Sequence, residues 1–147
     1  MANLVARLRQ DLAVARKARD RGLTLLLGTI LADVQYRALE LAREPSDDEV
    51  ADVIRKGIKK RREALGLFIR AGRHDLIEKE RGEVAVLEQY CPPSASDDEI
   101  RSAVKDAIAL GASAIGPVMA AVRARFRGRA DGPTIQSIAR EELDAPN

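Results

Sequence analysis

Apolar residues recur every three or four positions along most of this chain of 147 residues, the spacing that places them on one face of an α-helix. Leu4, Leu8, Leu12 and Ala15 begin the pattern, and Asp20, Arg21 and Gly22 close this first helix. A second helix follows on Leu27, Leu31, Val34, Ala38 and Leu41. It breaks at Glu44, Pro45 and Ser46, because a residue before proline is pushed out of helical geometry. Ser46 with Glu49 has the capping-box spacing and opens a third helix over residues 47 to about 71, whose apolar row is Val50, Ile54, Ile58, Leu65 and Phe68. Gly72 stops it. A fourth helix, opening near His74 or Asp75, carries Ile77, Val84, Leu87 and Cys91 on one row.

Pro92, Pro93 and Ser94 then forbid helix and stiffen the chain. They predict a first subdomain over residues 1–91, a proline-rich connection at 92–95 and a second subdomain over 96–147. In the second, Ser96 with Glu99 repeats the capping box before a fifth helix ending near Gly111. A sixth enters at Gly116 and Pro117 and ends at Gly128, and a seventh runs from Asp131 to about Leu143. No stretch alternates with period two, so the expected fold is all-α, four helices followed by three.

Composition sharpens this picture in one respect. Charged residues are 33% of the chain and aromatics 3%, which favours helices packed through aliphatic rows. Basic and acidic side chains, 25 and 23, nearly cancel to +2. Any attraction for an anion must therefore be local. Cys91 and His74 are each the single residue of their type, which excludes an internal disulfide and any metal cluster built from several Cys or His. No cofactor is expected, and a reducing, cytoplasmic setting fits. The opening MANLVARLRQDL has arginines where a signal peptide needs its apolar core. The most apolar run, LTLLLGTILA at 23–32, is about half of the ~20 residues a membrane span requires, so no membrane contact is expected.

Candidate chemistry is confined to a few charged groupings. The third helix carries RKGIKKRREAL, where Arg55, Lys59 and Arg62 form one stripe flanked by Lys56 and Lys60. The stripe either tracks an RNA backbone or is a solvated face balanced by Asp52 and Glu63. Arg61 falls within the apolar row, and an unpaired charge there is costly. Glu80 occupies the open position in the row of the fourth helix, so a structural Arg61–Glu80 ion pair is expected.

Between those two helices, Gly72, Arg73, His74 and Asp75 read either as an anion site or as a tight helix end followed by a cap. The acidic runs at 47–49 and 97–99 sit in first helical turns, where carboxylates complement the helix dipole. Cys91 reads as a small apolar filler. Finally, Arg123, Arg125, Arg127 and Arg129 fall within seven residues without an acid. Gly128, Asp131, Gly132 and Pro133 are explained by ending one helix and starting the next, but the arginines are not.

Several of these pieces together resemble the GatB/YqeY family, and specifically its small stand-alone YqeY-like members. They are LVARLRQDL with KARD at 17–20, IKKRRE at 58–63, AGRHDLIEKE at 71–80, VLEQYCPP at 86–93, IGPVMAAV at 115–122 and GRADG at 128–132. The resemblance spans essentially the whole chain. Pro117 stands where relatives commonly carry lysine, and Cys91 where leucine is common.

The resemblance implies an all-helical, two-part protein similar to the tail region of the GatB subunit. That subunit belongs to the glutamine-dependent amidotransferase that converts Glu or Asp mischarged on tRNA into Gln or Asn. Its ammonia-producing and activating domains have no counterpart here, and no catalytic residues are legible. The expectation is a non-catalytic tRNA-binding or adaptor protein associated with that carbon–nitrogen ligase chemistry. Arg125, Arg127 and Arg129 would contact phosphates, aided by Lys59, Arg62 and Arg73. The alternative is an interaction module that docks an aminoacyl-tRNA synthetase or amidotransferase subunit without touching RNA.

Overall fold

A computed structural model describes residues 3–145. The chain is all-α, with α1 (Leu4–Lys17), α2 (Arg21–Leu41), α3 (Asp47–Ala71), α4 (His74–Glu88), α5 (Asp97–Ala109), α6 (Ile115–Arg125) and α7 (Gly132–Asp144). It divides into two compact units, Met1–Pro92 and Pro93–Asn147.

The first unit contains α1 to α4. Short caps set its helix starts: Asn3 accepts from the Ala6 N–H, Asp20 from the Leu23 N–H, and Ser46 with Glu49 forms a reciprocal capping box. Each satisfies a backbone donor that the first turn leaves without a helical partner. The apolar rows meet in a core that includes Leu8, Leu27, Ile30, Ile54 and Leu87, all fully buried. Burial of a side chain of this size stabilises by about 1.5–3 kcal/mol each.

The first helix ends differently from the sequence expectation. Gly22 lies in the first turn of α2, and the left-handed residue that stops α1 is Arg19, with φ 56°.

At Gly57, side chains of α2 and α4 pack against the backbone of α3. A Cβ built there would lie 3.1 Å from Cδ1 of Ile30, 3.3 Å from Nη1 of Arg61 and 4.0 Å from Cδ1 of Leu87. Arg61 leans back along its own helix and donates from Nη1 to the Gly57 carbonyl at 3.1 Å. Its Nε donates to Oε2 of Glu83 at 3.0 Å. The expected Arg61–Glu80 pair is therefore corrected to Arg61–Glu83.

The reason is directional. Helical side chains tilt toward the N-terminus of their helix, and α4 runs back along α3 after a tight turn. An arginine leaning toward Gly57 thus reaches the later turn of α4. Both charges of the pair are about one-fifth exposed, 18% and 21%. Glu80 stays half-buried within the field of Arg61, its carboxyl held above the ordinary range first by burial and then by the neighbouring Glu83.

The second unit packs α5, α6 and α7 around Ile100, Val104, Val118, Val122, Phe126 and Ile135. Ser96 and Glu99 form the capping box of α5, and Asp131 accepts from the Thr134 N–H at the start of α7. Pro117 lies in the first turn of α6, where a missing N–H costs no helical bond. That helix ends at Arg125, short of Gly128. Phe126 buries its ring there, and its carbonyl accepts from the N–H groups of Arg129 and Ala130 at 2.9 and 3.2 Å. Gly128, φ 70°, serves the turn itself.

Candidate nucleic-acid interface

The six side chains expected to meet phosphates divide between the two units. In the first, Lys59 is exposed on α3 and has no carboxylate partner among the described residues. Arg62 is bonded to Glu88 of α4. Arg73 occupies the N-cap position of α4 without a side-chain cap bond, and its guanidinium pairs with Asp75 at 3.3 Å. That pairing holds the Asp75 carboxyl below its usual range. His74 is exposed at the start of α4.

In the second unit, the three arginines differ sharply. Arg125 pairs with Asp106 at 3.3 Å, and its guanidinium lies 5.8 Å from the centre of the Phe126 ring. Arg129 donates from Nε to the Pro93 carbonyl at 3.1 Å and from Nη2 to Glu99 at 3.4 Å, and lies 5.7 Å from the same ring. Arg127 is exposed, with no ion pair or side-chain hydrogen bond among the described residues. Residues 125 and 129, four apart, both lie beside the Phe126 ring and each meets a carboxylate, whereas residue 127 does neither.

Two further basic features lie outside that set of six, one arginine and one cluster. Arg123 reaches across to the start of α7, where a Cβ on Gly132 would sit 3.0 Å from its Nη2. Arg16, Arg19 and Arg21 gather at the α1–α2 turn. The signal for the latter is plain in the sequence, RKARDR at 16–21, four cations with one acid.

Other polar groups serve structure. The thiol of Cys91 is half-buried, lies 3.8 Å from the Ala51 carbonyl and is pushed up by burial. Tyr90, buried against Arg7, donates to Asp11. Burial first, and then this bond to a carboxylate, hold its hydroxyl above the usual range. No group of three His, Cys, Asp or Glu converges as a metal site among the described residues. No helix among them is long and apolar enough to cross a membrane.

The candidate residues are thus basic side chains on a helical scaffold. The family model described as "Yqey-like protein" matches residues 5–143, and the chain belongs to that family, the GatB/YqeY family. It is 34% identical over 95 residues to a protein of Schizosaccharomyces pombe described as uncharacterized, covering 65% of this chain and 77% of that one. It is 31% identical over 103 residues to "Altered inheritance of mitochondria protein 41, mitochondrial" of Kluyveromyces lactis, covering 68% of this chain. The protein of that name from Pyrenophora tritici-repentis is 28% identical over 132 residues, with 86% of this chain and 73% of that one covered. The chain spans only 56% of the length of the Kluyveromyces relative.

Proposed function

We propose that this protein is a non-catalytic helical adaptor that binds tRNA in support of glutamine-dependent tRNA amidotransfer. The observation that carries the reading is Arg127, exposed and without a carboxylate on the α6–α7 turn, together with Arg123 of α6, whose guanidinium reaches the start of α7. Two cations beside a helix start suit a phosphate group. Lys59, flanked by the exposed Lys56 and Lys60, supplies a further basic stretch on α3. Arg125 and Arg129 contribute by shaping the turn rather than by offering free guanidinium groups.

Fluorescence anisotropy with labelled tRNA tests this. Binding weakens with salt by about 0.7 log units per log unit for each single-strand phosphate neutralised. Arg127→Ala and Lys59→Ala each reduce that slope. Absence of tRNA binding at low salt, or a slope unchanged in both variants, rejects the assignment. Incubation with mischarged tRNA, ATP and glutamine yields no amidation by the chain alone. A cytoplasmic setting belongs to the same proposal, and fractionation of cells checks it.

A second reading is favoured by one feature of α2. Leu25, Tyr36 and Leu39 are 68%, 70% and 78% exposed, and large apolar side chains left in water along one helix suit a protein partner. In that reading the chain docks an aminoacyl-tRNA synthetase or amidotransferase subunit without touching RNA. A pull-down that survives RNase supports it, and one that RNase abolishes returns the weight to RNA.

A further inference from the structure

Many arginines here end on a carboxylate, as Arg37, Arg43, Arg61, Arg62, Arg81 and Arg101 do. Three at one turn do not. Arg16, Arg19 and Arg21 line, with Thr24, an open hollow of about 430 Å³ between the end of α1 and the start of α2. None of the three has an ion pair or a side-chain hydrogen bond among the described residues. The single acid in the run, Asp20, caps α2 by accepting the Leu23 N–H at 3.1 Å. Three cationic residues therefore line one hollow, and the repulsion between them falls when an anion enters.

The backbone holds this arrangement in place. Arg19 donates its N–H to the Arg16 carbonyl at 3.1 Å, and Asp20 donates to the Ala15 carbonyl at 3.0 Å. This is the helix ending that ordinarily places glycine at the left-handed position. Here an arginine stands there, with φ 56°. Guanidinium groups match phosphate oxygens in pairs, through two parallel N–H bonds. The Thr24 hydroxyl supplies a further donor. The volume accommodates a phosphate together with part of the group that carries it.

We infer that the α1–α2 hollow is a binding site for a phosphate group, held by Arg16, Arg19, Arg21 and the hydroxyl of Thr24. It shares no residue with the proposed tRNA contacts and stands or falls separately from them. The phosphate belongs either to a small free ligand or to the phosphorylated end of an RNA.

The test titrates the full chain by calorimetry with inorganic pyrophosphate at constant ionic strength. A parallel arm uses one RNA oligonucleotide in 5′-phosphorylated and 5′-hydroxyl forms. Saturable binding to one site is expected, weakened about tenfold or more in Arg19→Gly, the size of one lost charged hydrogen-bond contact. Glycine suits the left-handed turn, so this variant melts at the same temperature as the parent or higher. Lost affinity is thereby separated from lost fold. Arg140→Ala, an exposed arginine on α7, leaves the affinity unchanged.

A preference for the 5′-phosphorylated RNA assigns the site to an RNA end. Equal binding of both RNAs, with pyrophosphate retained, assigns it to a free phosphate ligand. The proposal is overturned by absence of saturable pyrophosphate binding together with indifference to the 5′-phosphate. It is equally overturned if Arg19→Gly and Arg140→Ala weaken binding alike, since bulk charge then explains the attraction.

Discussion

Two helix starts in this protein are spelled identically, Ser46-Asp47-Asp48-Glu49 at α3 and Ser96-Asp97-Asp98-Glu99 at α5. Both close the same reciprocal capping box. They differ in the arginine that answers the glutamate. Glu49 is gripped by both Nη groups of Arg43, at 2.7 and 3.1 Å, from six residues upstream. Glu99 receives a longer bond of 3.4 Å from Arg129, thirty residues downstream. Arg129 also accepts the Ala95 N–H on its carbonyl at 2.8 Å and donates to the Pro93 carbonyl at 3.1 Å. One cap is a local device closing a loop, whereas the other ties the α6–α7 turn to the entrance of its unit. A motif repeated in sequence thus acquires its tertiary role from a residue outside the motif.

The largest expected effect comes from the core beside the long-range tie. Ile135→Ala removes a fully buried side chain on α7, and the expected loss is about 2–5 kcal/mol. Hydrogen exchange is expected to show α5 to α7 losing protection while the Arg43–Glu49 loop keeps its own. Loss at both would break the contrast between them.

Next, Arg129→Ala is expected to cost about 1–2 kcal/mol in urea unfolding, because several bonds disappear together. Arg43→Ala, an exposed partner, is expected to leave the midpoint nearly unchanged. Equal losses would erase the distinction. Ser46→Ala and Ser96→Ala come third, each costing about 1 kcal/mol and each by nearly the same amount, since the cap itself is common to both.

The smallest effect is electrostatic. The Arg43 guanidinium, followed by the Ser46 N–H, lowers the Glu49 carboxyl from 4.5 to about 2. Between those values the folded state binds fewer protons than the unfolded one, so stability falls as pH falls. The contribution is fully present above about pH 4.5 and is lost as pH drops through 2. The gap in melting temperature between the parent and Glu49→Gln is therefore expected to shrink over that range. Glu99 is also lowered, but there the Ser96 N–H is the leading cause. An NMR titration should accordingly find Glu49 rising more in Arg43→Ala than Glu99 does in Arg129→Ala.

Helix starts were legible in the sequence because their causes are local. Ser46, Ser96 and Asp131 each act on an N–H three residues away. What escaped was settled across space. The partner of Arg61 depends on the lean of its side chain along α3, which heptad counting on α4 does not register. The bonds of Arg129 span the whole second unit, so four clustered arginines looked alike when two were already engaged. Arg19 was hidden by convention, since glycine is the expected left-handed stop and Gly22 stands only three residues on. For the candidate site, the sequence identified the basic stretches, and packing separated Arg127 and Lys59 from their paired neighbours.

Gly57 joins several positions into a single unit of inheritance. A side chain at 57 lands on Ile30 and Arg61, and Arg61 is committed to Glu83. A larger residue at 57 requires the ends of Ile30 and Arg61 to give by a few tenths of an ångström. Substitutions at positions 30, 57, 61 and 83 are therefore expected to be coupled rather than additive.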